Sequence, residues 1–554
     1  MVDNSAPPPQ SKAANWINVT TIGDLLDQRA EGSSRDALVM PDVRLTYPQL
    51  SAASDGVAAA LLEFGIGPGD KVGVLMPNSH IHVEALFAIA KLGAISVPIN
   101  ARLKAEELRY IIVHSDLDLL LVASDPAGND ATAMLNTIFP DLPQSDPRAL
   151  ALPGAPRLRN IVNFSHDAPG FITRDEFDAA SVAKSADGVK VLQQRVRIRD
   201  VALLMYTSGT TSNPKGCLLT HEALVRQGRA VALTRFLLTE DDVMWNPLPM
   251  FHCGGIVPML GVVSVGATFC HPGFFEATKS LKMIADERCT VLYPAFETIW
   301  RGVQDHPSFD EYDLSAVRLV LNVATPRVLA EFQARMPEAK QVSSYGSTEG
   351  ATNLTVSHPD DPYDARINTL GRPVDGMEVK IVDPETGAEL PAGVMGELCF
   401  RGYAQFEGYY KEEALTAENV DPQGWFHSGD RAMIDADGNV VYGGRFKDML
   451  KVGGENVAAV EVEDYLVQHP AVSIVQVVAA PDSRYVEVPA AFIQLIDGAQ
   501  LTGDEVIEFC RGKLASYKVP RHVRFVTDWP MSGTKIKKID LRARIADELS
   551  KTTA

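Results

Sequence analysis

The sequence predicts an α/β fold: a large N-terminal domain with doubly wound, mostly parallel sheets, followed by a small α+β domain. Three observations support this prediction. The chain has 554 residues, more than one hydrophobic core usually serves, so at least two domains are expected. In the first part, short apolar runs alternate with helical patterns. After about residue 447 the order changes to helix, strand, strand, helix, which is typical of a separate unit of about a hundred residues.

The alternation is clearest between residues 71 and 124. "KVGVLMP" (71–77) has the pattern of a buried strand, and "HIHVEALFAIAKLG" (80–93) that of an amphipathic helix ended by Gly93. "AISVPI" and "LDLLLVAS" then read as two further strands. Strands that alternate with helices form parallel sheets covered by helices on both faces.

The junction between the two units has its own pattern. "GDRAMIDADGNVVYGGRFK" predicts a β-hairpin with its turn at Asp437-Gly438. The small unit follows, with helical segments "VEVEDYLVQHP" and "DEVIEFCRGKLA" on either side of the strands "SIVQVVAA" and "PAAFIQL".

Composition indicates a soluble globular protein of a reducing compartment. Hydrophobic residues make up 46% and charged residues 22% of the chain, which is ordinary for such proteins. Of the six cysteines, the closest two are Cys253 and Cys270, so there is no CxxC pair. We expect buried thiols and a cytoplasmic location. Residues 1–15 lack the apolar core of a secretory signal and are expected to form a disordered leader.

One uncharged stretch, residues 253–275, invites a membrane interpretation. Pro258 and several glycines interrupt it, and its continuous apolar runs fall short of the ~20 residues that a span requires. A buried helix followed by a strand is the favoured interpretation, and no transmembrane segment is expected.

The formal net charge of −20 argues against nucleic acid as a partner. The charge is uneven, because residues 1–446 carry a net −19 while residues 511–551 hold 11 basic and 4 acidic residues. This basic segment is either a solvated helix face or a surface that meets a polyanion.

Three polar clusters each follow an apolar strand: "YTSGTT" after residues 201–205, "ATP" after residues 317–323, and "YGSTEG" after residues 341–344. Ligands of open α/β sheets bind beyond the carboxyl ends of strands, so one composite site is expected. The first cluster extends to "YTSGTTSNPKG" (206–216), where small and hydroxyl residues precede Lys215. Such a loop lets backbone N–H groups approach phosphate oxygens, although a Ser/Thr-rich surface turn is the alternative for this motif alone.

Five motifs occur in order: "YTSGTTSNPKG", "YGSTEG", "GWFHSGD", "YGGRFKDMLKVGGENV" and "SGTKIKK". Together they resemble the signature of the adenylate-forming superfamily, which contains acyl-CoA synthetases, luciferases and the adenylation domains of non-ribosomal peptide synthetases. The resemblance covers about residues 20 to 545. It implies an N-terminal domain (16–446) that includes a β-barrel-like part, and a mobile C-terminal lid domain (447–554).

The resemblance also implies a nucleotide site. The loop would hold the ATP phosphates, Glu349 and Thr210 would hold Mg²⁺, and Thr348 would donate to the α-phosphate. Asp430 and Arg445 would bind the ribose, and Tyr345 would stack on adenine. The implied nucleotide-binding residues are Thr207, Ser208, Gly209, Thr210, Thr211, Lys215, Ala324, Thr325, Pro326, Tyr345, Gly346, Asp430 and Arg445.

Lys535 resembles the late lysine that neutralises the reacting groups during adenylation. The sequence departs from the family here, because Thr534 replaces the usual glycine and the loop is about one residue shorter. Lys537 and Lys538 therefore remain alternatives. Lys447 matches the hinge between the domains, and Lys451, Gly453 and Gly454 match the loop that lines the tunnel of the CoA thiol.

The implied reaction joins a carboxylic acid to CoA through acyl-AMP, with release of pyrophosphate. The expected acid pocket contains His252, Gly254, Gly255, Asn322, Val323 and Gly346, which are mostly small or apolar and suit a fatty or aromatic acid. His252 is also the expected gate of the thiol path. A packed core histidine is the alternative for this residue.

Two other functions are alternatives to this reaction. An amino-acid-activating domain that serves a carrier protein would need an aspartate after Phe251, where this chain has His252, and a substrate ammonium would be unpaired. A non-catalytic nucleotide-binding protein would not need Glu349, Asp430, Arg445 and Lys535 together. Whether the chain forms a homodimer is left open.

Overall fold

The computed structural model describes residues 19–124, 130–183, 186–207, 214–452, 455–482, 484–532 and 535–553. The predicted leader, residues 1–15, lies outside this part. Helices in chain order are α1 Ile22–Ala30, α2 Tyr47–Glu63, α3 His80–Lys91, α4 Ala105–His114, α5 Ala131–Ile138, α6 Arg174–Ala183, α7 Ala186–Gln193, α8 His221–Thr234, α9 Cys253–Val265, α10 Ala277–Asp286, α11 Glu297–Gln304, α12 Pro326–Arg335, α13 Tyr363–Asn368, α14 Glu413–Asn419, α15 Ala459–Leu466, α16 Gly503–Cys510 and α17 Lys538–Thr553.

The strands in chain order are β1 Asp36–Met40, β2 Val43–Thr46, β3 Lys71–Leu75, β4 Ile95–Pro98, β5 Leu119–Val122, β6 Asn160–Asn163, β7 Ile172–Thr173, β8 Val201–Thr207, β9 Lys215–Thr220, β10 Val243–Trp245, β11 Thr268–Cys270, β12 Val291–Phe296, β13 Leu319–Val323, β14 Lys340–Val342, β15 Ser344–Ser347, β16 Thr352–Val356, β17 Arg372–Pro373, β18 Met377–Val382, β19 Gly396–Gly402, β20 Phe426–Ile434, β21 Val440–Arg445, β22 Met449–Val452, β23 Glu455–Ala458, β24 Val472–Asp482, β25 Val486–Leu495, β26 His522–Phe525, β27 Met531–Ser532 and β28 Lys535–Ile536.

Two seven-stranded sheets form the large part of the protein, in the orders β7-β6-β5-β3-β4-β8-β9 and β14-β13-β12-β10-β11-β1-β2. The neighbouring strands run parallel, apart from the edge pairs β8–β9 and β1–β2. This arrangement confirms the predicted mixed α/β fold with parallel sheets. The fully buried runs of β5 and β6 are typical of parallel strands that are covered on both faces.

Local sequence explains the predicted helix of residues 80–93. It begins where the Ser79 side chain accepts a hydrogen bond from the backbone N–H of His82. It ends before Gly93, whose φ of +69° favours glycine.

The uncharged stretch folds as predicted, into the buried helix α9 and the strand β11. Helix α9 packs closely against α8 at Gly228, where a Cβ would lie only 2.5 Å from the carbonyl oxygen of Val257. Glycine allows this close approach. Among the described residues, we find no helix with the length and apolar character that crossing a membrane demands. All six cysteines are buried.

Two small antiparallel sheets, β15-β16-β17 and β18-β19-β20-β21, follow the second large sheet. Both are open sheets, and the β-barrel-like part stays a prediction. The turn between β20 and β21 is centred on Asp437-Gly438, as predicted, and Gly438 has a φ of +83°.

The small C-terminal unit has its own core, built from buried residues between Leu450 and Ile545. Its sheet has the order β23-β22-β25-β24, and β26 adds in parallel to β25. Arg327 of α12 donates from Nη1 to the carbonyl oxygen of Val467 over 2.7 Å and so joins the two units. The boundary at residue 447 stays a prediction.

Candidate active site

The predicted phosphate loop connects β8 to the edge strand β9, and the two strands pair Thr207 with Lys215. Ser208, Gly209, Thr210 and Thr211 lie outside the described residues. Lys215 is half-buried, and its Nζ lies 5.2 Å from the centre of the Tyr409 ring. The hairpin therefore directs its charged end towards the segment that carries Tyr409.

The second cluster lies at the carboxyl end of β13. Asn322 is fully buried, and its Nδ2 donates to Oε1 of Gln341 over 3.3 Å. Val323, the last residue of β13, is 41% exposed. Ala324 and Thr325 lead into α12, which begins at Pro326. This order brings the "ATP" segment to the edge where ligands of such sheets bind.

The third cluster differs from the expectation of a polar segment beyond a strand, because "YGSTEG" forms the strand β15 and a 3₁₀ turn, Thr348–Gly350. Gly346 is required here, since a Cβ would lie only 1.5 Å from the carbonyl oxygen of Thr352. Ala351 and Thr352 follow with φ values of +48° and +80°. Strained non-glycine residues of this kind are concentrated at functional sites.

Glu349 is held by a residue that sequence analysis missed. The hydroxyl of Tyr409 donates to Glu349 Oε1 over 2.9 Å, and the backbone N–H of Phe406 donates to the Glu349 carbonyl over 2.8 Å. Tyr409 also bridges to Cys217 of β9. Tyr409 thus joins the phosphate hairpin to the predicted metal ligand. Only its place in "GYY" after an apolar strand could have drawn attention to it.

Asp430 is 5% exposed and lies between two of the predicted nucleotide-binding residues. Its Oδ2 accepts from the Tyr345 hydroxyl over 2.7 Å, and its Oδ1 accepts from Arg445 Nε over 3.0 Å. Burial raises the pKa of Asp430, and the charge of Arg445 opposes part of that rise. Tyr442, which sequence analysis also missed, is 39% exposed beside this group, with its ring 6.4 Å from that of Tyr345.

Four buried polar atoms near these clusters have no hydrogen-bond partner among the described residues: Asn322 Oδ1, Thr325 Oγ1, Ser343 Oγ and Ser347 Oγ. Buried polar groups in proteins are nearly always paired. These four atoms lie at or just after the ends of β13, β14 and β15, where a polar ligand would supply the missing partners.

The predicted acid pocket begins at the N-terminus of α9. His252 is the N-cap residue and is half-buried, with its ring 4.8 Å from that of Phe251. A Cβ at Gly255 would lie 2.5 Å from the Pro249 carbonyl oxygen. Burial, followed by the nearby charge of Glu349, raises the pKa of Cys253 to about 12.

The predicted lid residues are only partly described. Lys447 lies in the turn Phe446–Asp448. Burial, followed by the nearby positive charge of Arg445, lowers the pKa of Lys447. Lys451 is exposed on β22, where its backbone N–H donates to Glu487. Gly453 and Gly454 lie outside the described residues. Lys535 begins β28, and the position of its side chain is not described.

The two alternative lysines are in different situations. Lys538 Nζ pairs with Glu463 Oε1 at 2.6 Å, inside the small unit. The backbone N–H of Lys537 donates to the Pro530 carbonyl over 2.7 Å. The ion pair gives Lys538 a structural role, and the catalytic role of Lys535 stays a prediction.

Two protein-family models match the chain. The family model described as "AMP-binding enzyme" matches residues 26–410, and "AMP-binding enzyme C-terminal domain" matches residues 461–538. The chain belongs to the AMP-binding enzyme family. The resemblance to adenylate-forming enzymes is confirmed.

Individual relatives agree with this assignment. The chain is 37% identical to YngI of Bacillus subtilis, which is named as an acyl-CoA synthetase, over 95% of this chain and 97% of the relative. It is 32% identical to the human medium-chain acyl-CoA ligase ACSF2, mitochondrial, over 96% of this chain and 89% of the relative. The structure of the anthranilate CoA ligase AuaEII with anthranoyl-AMP is similar, with a TM-score of 0.84, 27% identity, and coverage of 98% and 100%.

The class of enzyme follows from these findings. This AMP-binding enzyme is an AMP-forming acid–CoA ligase that uses ATP and CoA, and Mg²⁺ is the general metal of its family. Glu349 supplies the hard carboxylate oxygen that Mg²⁺ prefers, and a hydrogen bond orients it, so this residue fits the metal. The proposed second ligand, Thr210, lies outside the described residues.

Proposed function

We propose that this AMP-binding enzyme activates a hydrophobic carboxylic acid, with medium-chain fatty acids as the preferred class and aromatic acids as the second. The small or apolar character of most of the predicted acid-pocket residues carries the proposal of a hydrophobic acid. The unpaired buried polar atoms at the ends of β13, β14 and β15 support a binding site for the polar substrate groups. The medium-chain preference is supported by the ACSF2 relatives. The aromatic alternative is supported by the anthranilate ligase.

The reaction is proposed in two steps. A carboxylate oxygen attacks the α-phosphorus of ATP, the bond from that phosphorus to the bridging oxygen breaks, and pyrophosphate leaves. The CoA sulfur then attacks the acyl carbon of acyl-AMP, AMP leaves, and the thiol proton passes to solvent. Positioning and charge neutralisation suffice for this chemistry, so no covalent enzyme intermediate is required.

The residue roles follow from position and chemistry. Asp430 and Arg445 bind the ribose, and the exposed ring of Tyr442 joins Tyr345 beside the adenine. Lys215 and the hydroxyls of the hairpin loop bind the phosphates. Glu349 and Thr348 act at the reacting phosphate. When bound there, Mg²⁺ would neutralise charge on the phosphate oxygens.

The proposed acid pocket is bordered by one histidine and several glycines. His252 borders it, and Gly254, Gly255 and Gly346 pack so closely against neighbouring atoms that a Cβ would clash at each position. No lysine or arginine occurs at these predicted pocket positions, so a second substrate carboxylate would have no permanently charged partner there.

The domain arrangement is part of the proposal. Residues 16–446 would form the adenylating domain and residues 447–554 a mobile lid that turns about Lys447. Lys535 serves the first step, and the loop that contains Lys451, Gly453 and Gly454 lines the thiol path in the second. We also propose a cytoplasmic location, although the ACSF2 relatives are named as mitochondrial. The proposed oligomeric state is a homodimer.

The first expected result is acid-dependent formation of AMP, with pyrophosphate and without ADP. Purified enzyme would be given ATP, Mg²⁺ and a panel of saturated acids of graded length, benzoic acids and dicarboxylic acids, with and without CoA. Medium-chain acids should give the highest kcat/KM and a CoA thioester. ADP as the product would place the reaction in another class, and a preference for dicarboxylic acids would contradict the apolar pocket.

A second expected result concerns Tyr409→Phe. Loss of the hydroxyl that orients Glu349 removes a hydrogen bond to a charged group, which is worth about 1.5–3 kcal/mol. We expect the KM for Mg·ATP to rise on the order of ten-fold, while the KM for the acid changes little.

The neighbouring Tyr410→Phe is the matched control, because that hydroxyl donates to Asp116 over 2.8 Å and not to Glu349. Steady-state pyrophosphate release at several Mg²⁺ concentrations measures both variants. Equal effects of the two substitutions would show that Tyr409 has no special relation to the metal site.

A further inference from the structure

A β-bulge in strand β20 shapes the backbone at Asp430. Strands β19 and β20 pair Glu397 with Arg431 and Cys399 with His427, and the register shifts between these pairs. Only Leu398 lies between them on β19, whereas Ser428, Gly429 and Asp430 lie between them on β20. Bulges re-aim side chains next to active sites. Asp430, the last of the three residues in this bulge, is paired with Arg445 of β21 and accepts a hydrogen bond from Tyr345.

The Glu397 side chain spans the bulge with both of its oxygens. Its Oε1 accepts from the backbone N–H of Gly429 over 3.0 Å, and its Oε2 lies 2.8 Å from Nδ1 of His427. The side chain is 15% exposed. Gly429 has a φ of +68°, a conformation that few residues other than glycine adopt. Glu397 thus fixes the residue that immediately precedes Asp430.

Ser428 and His427 make the remaining contacts of the bulge. Ser428 Oγ donates to the Leu398 carbonyl over 2.6 Å and accepts from the backbone N–H of Asp430 over 3.1 Å. Cys399 Sγ lies 3.4 Å from His427 Nδ1, and Asp421 Oδ2 lies 3.9 Å from the other ring nitrogen. Of these groups, the Glu397 carboxylate alone contacts residues on both sides of Ser428.

We infer that Glu397 is a positioning residue for ATP binding. Its side chain holds the bulge so that the Asp430 carboxylate accepts hydrogen bonds from both ribose hydroxyls. Glu397 would not contact the nucleotide itself and would act through Gly429 and Asp430. The inference rests on the proposed ribose-binding role of Asp430. An ordinary structural role would affect every substrate alike, whereas this role affects the recognition of the ribose hydroxyls.

The test compares ATP with 2′,3′-dideoxy-ATP in acid-dependent pyrophosphate release without CoA. The kcat/KM of the parent enzyme should be at least about ten-fold higher for ATP, because the dideoxy nucleotide lacks the two hydroxyls that donate to the Asp430 carboxylate. Glu397→Ala should lose most of this preference and raise the KM for ATP on the order of ten-fold, with the KM for the acid unchanged. Glu397→Gln should be intermediate, since its amide oxygen can still accept from Gly429.

Two reference variants complete the design. Asp430→Ala should show no preference between the nucleotides. Glu378→Gln is the matched control and should behave as the parent, since Glu378 lies on the adjacent strand β18 in an exposed pair with Arg401. If Glu397→Ala does not fold, Glu397→Gln carries the same comparison.

An unchanged preference for ATP in the Glu397 variants, whether their activity is kept or falls equally with both nucleotides, would overturn the inference. A parent enzyme that uses the two nucleotides equally would instead remove Asp430 from the ribose site, and the inference would fall with it. The two kinds of failure are therefore distinguishable.

Discussion

Lys535→Ala is expected to slow acyl-AMP formation by a factor on the order of 10²–10³, because it removes a preorganised charge partner of the reacting groups. The same variant should still convert supplied acyl-AMP and CoA into the thioester. The reason is that a mobile lid would carry Lys535 away from the site before the second step. Pyrophosphate release and thioester formation, assayed separately, measure the two half-reactions.

Lys447→Pro should show the reverse pattern. Lys447 lies in the short 3₁₀ turn Phe446–Asp448 at the junction of the two units. Proline fixes φ, so it would hinder the backbone rotation of a hinge. We expect near-normal acyl-AMP formation and impaired thioester formation. This pair of opposite defects is what an alternating lid predicts.

Two neighbouring lysines control for the irregular loop. Lys538→Ala breaks the ion pair with Glu463 and should affect the stability of the small unit more than adenylation. Lys537→Ala should resemble the parent. If Lys537→Ala or Lys538→Ala abolishes adenylation while Lys535→Ala does not, the catalytic lysine has been misassigned. Equal loss of both half-reactions in the Lys535 and Lys447 variants would contradict domain alternation.

Glu349→Gln is expected to lower kcat/KM for Mg·ATP by a factor on the order of 10²–10³, since the amide keeps the size of the side chain and loses the charge. Tyr409 can still donate to the amide oxygen, so the local fold should persist. The KM for the acid should change much less. A shift in the Mg²⁺ dependence of pyrophosphate release is the decisive measurement.

Glu407→Gln is the control for this second experiment. Glu407 is two residues from Tyr409 and makes an exposed ion pair with Arg199 at 2.8 Å. Surface ion pairs contribute little, so this variant should match the parent. A Glu349→Gln enzyme with the parent's dependence on ATP and Mg²⁺ would remove Glu349 from the metal site.

Asp430, Arg445 and Glu349 could be singled out from the sequence because each belongs to a short motif that resembles the family signature. Their roles stay predictions, and the contact between Asp430 and Arg445 is seen only in the structure. Sequence analysis treated "YGSTEG" as a polar segment after a strand, yet it forms the strand β15. Its pairing with β16, which puts Tyr345 opposite Thr355, has no signal in the motif itself.

The sequence by itself determined the class of fold and the ordered motifs, because strand and helix periodicity and the chemistry of each motif depend on nearby residues. Only the tertiary structure decided which side chains meet across the chain. Tyr409 reaches Glu349 across 60 positions, Tyr345 reaches Asp430 across 85, and Glu397 reaches Gly429 across 32. Such contacts depend on how sheets pack and where a bulge shifts the register, and no local pattern encodes that geometry.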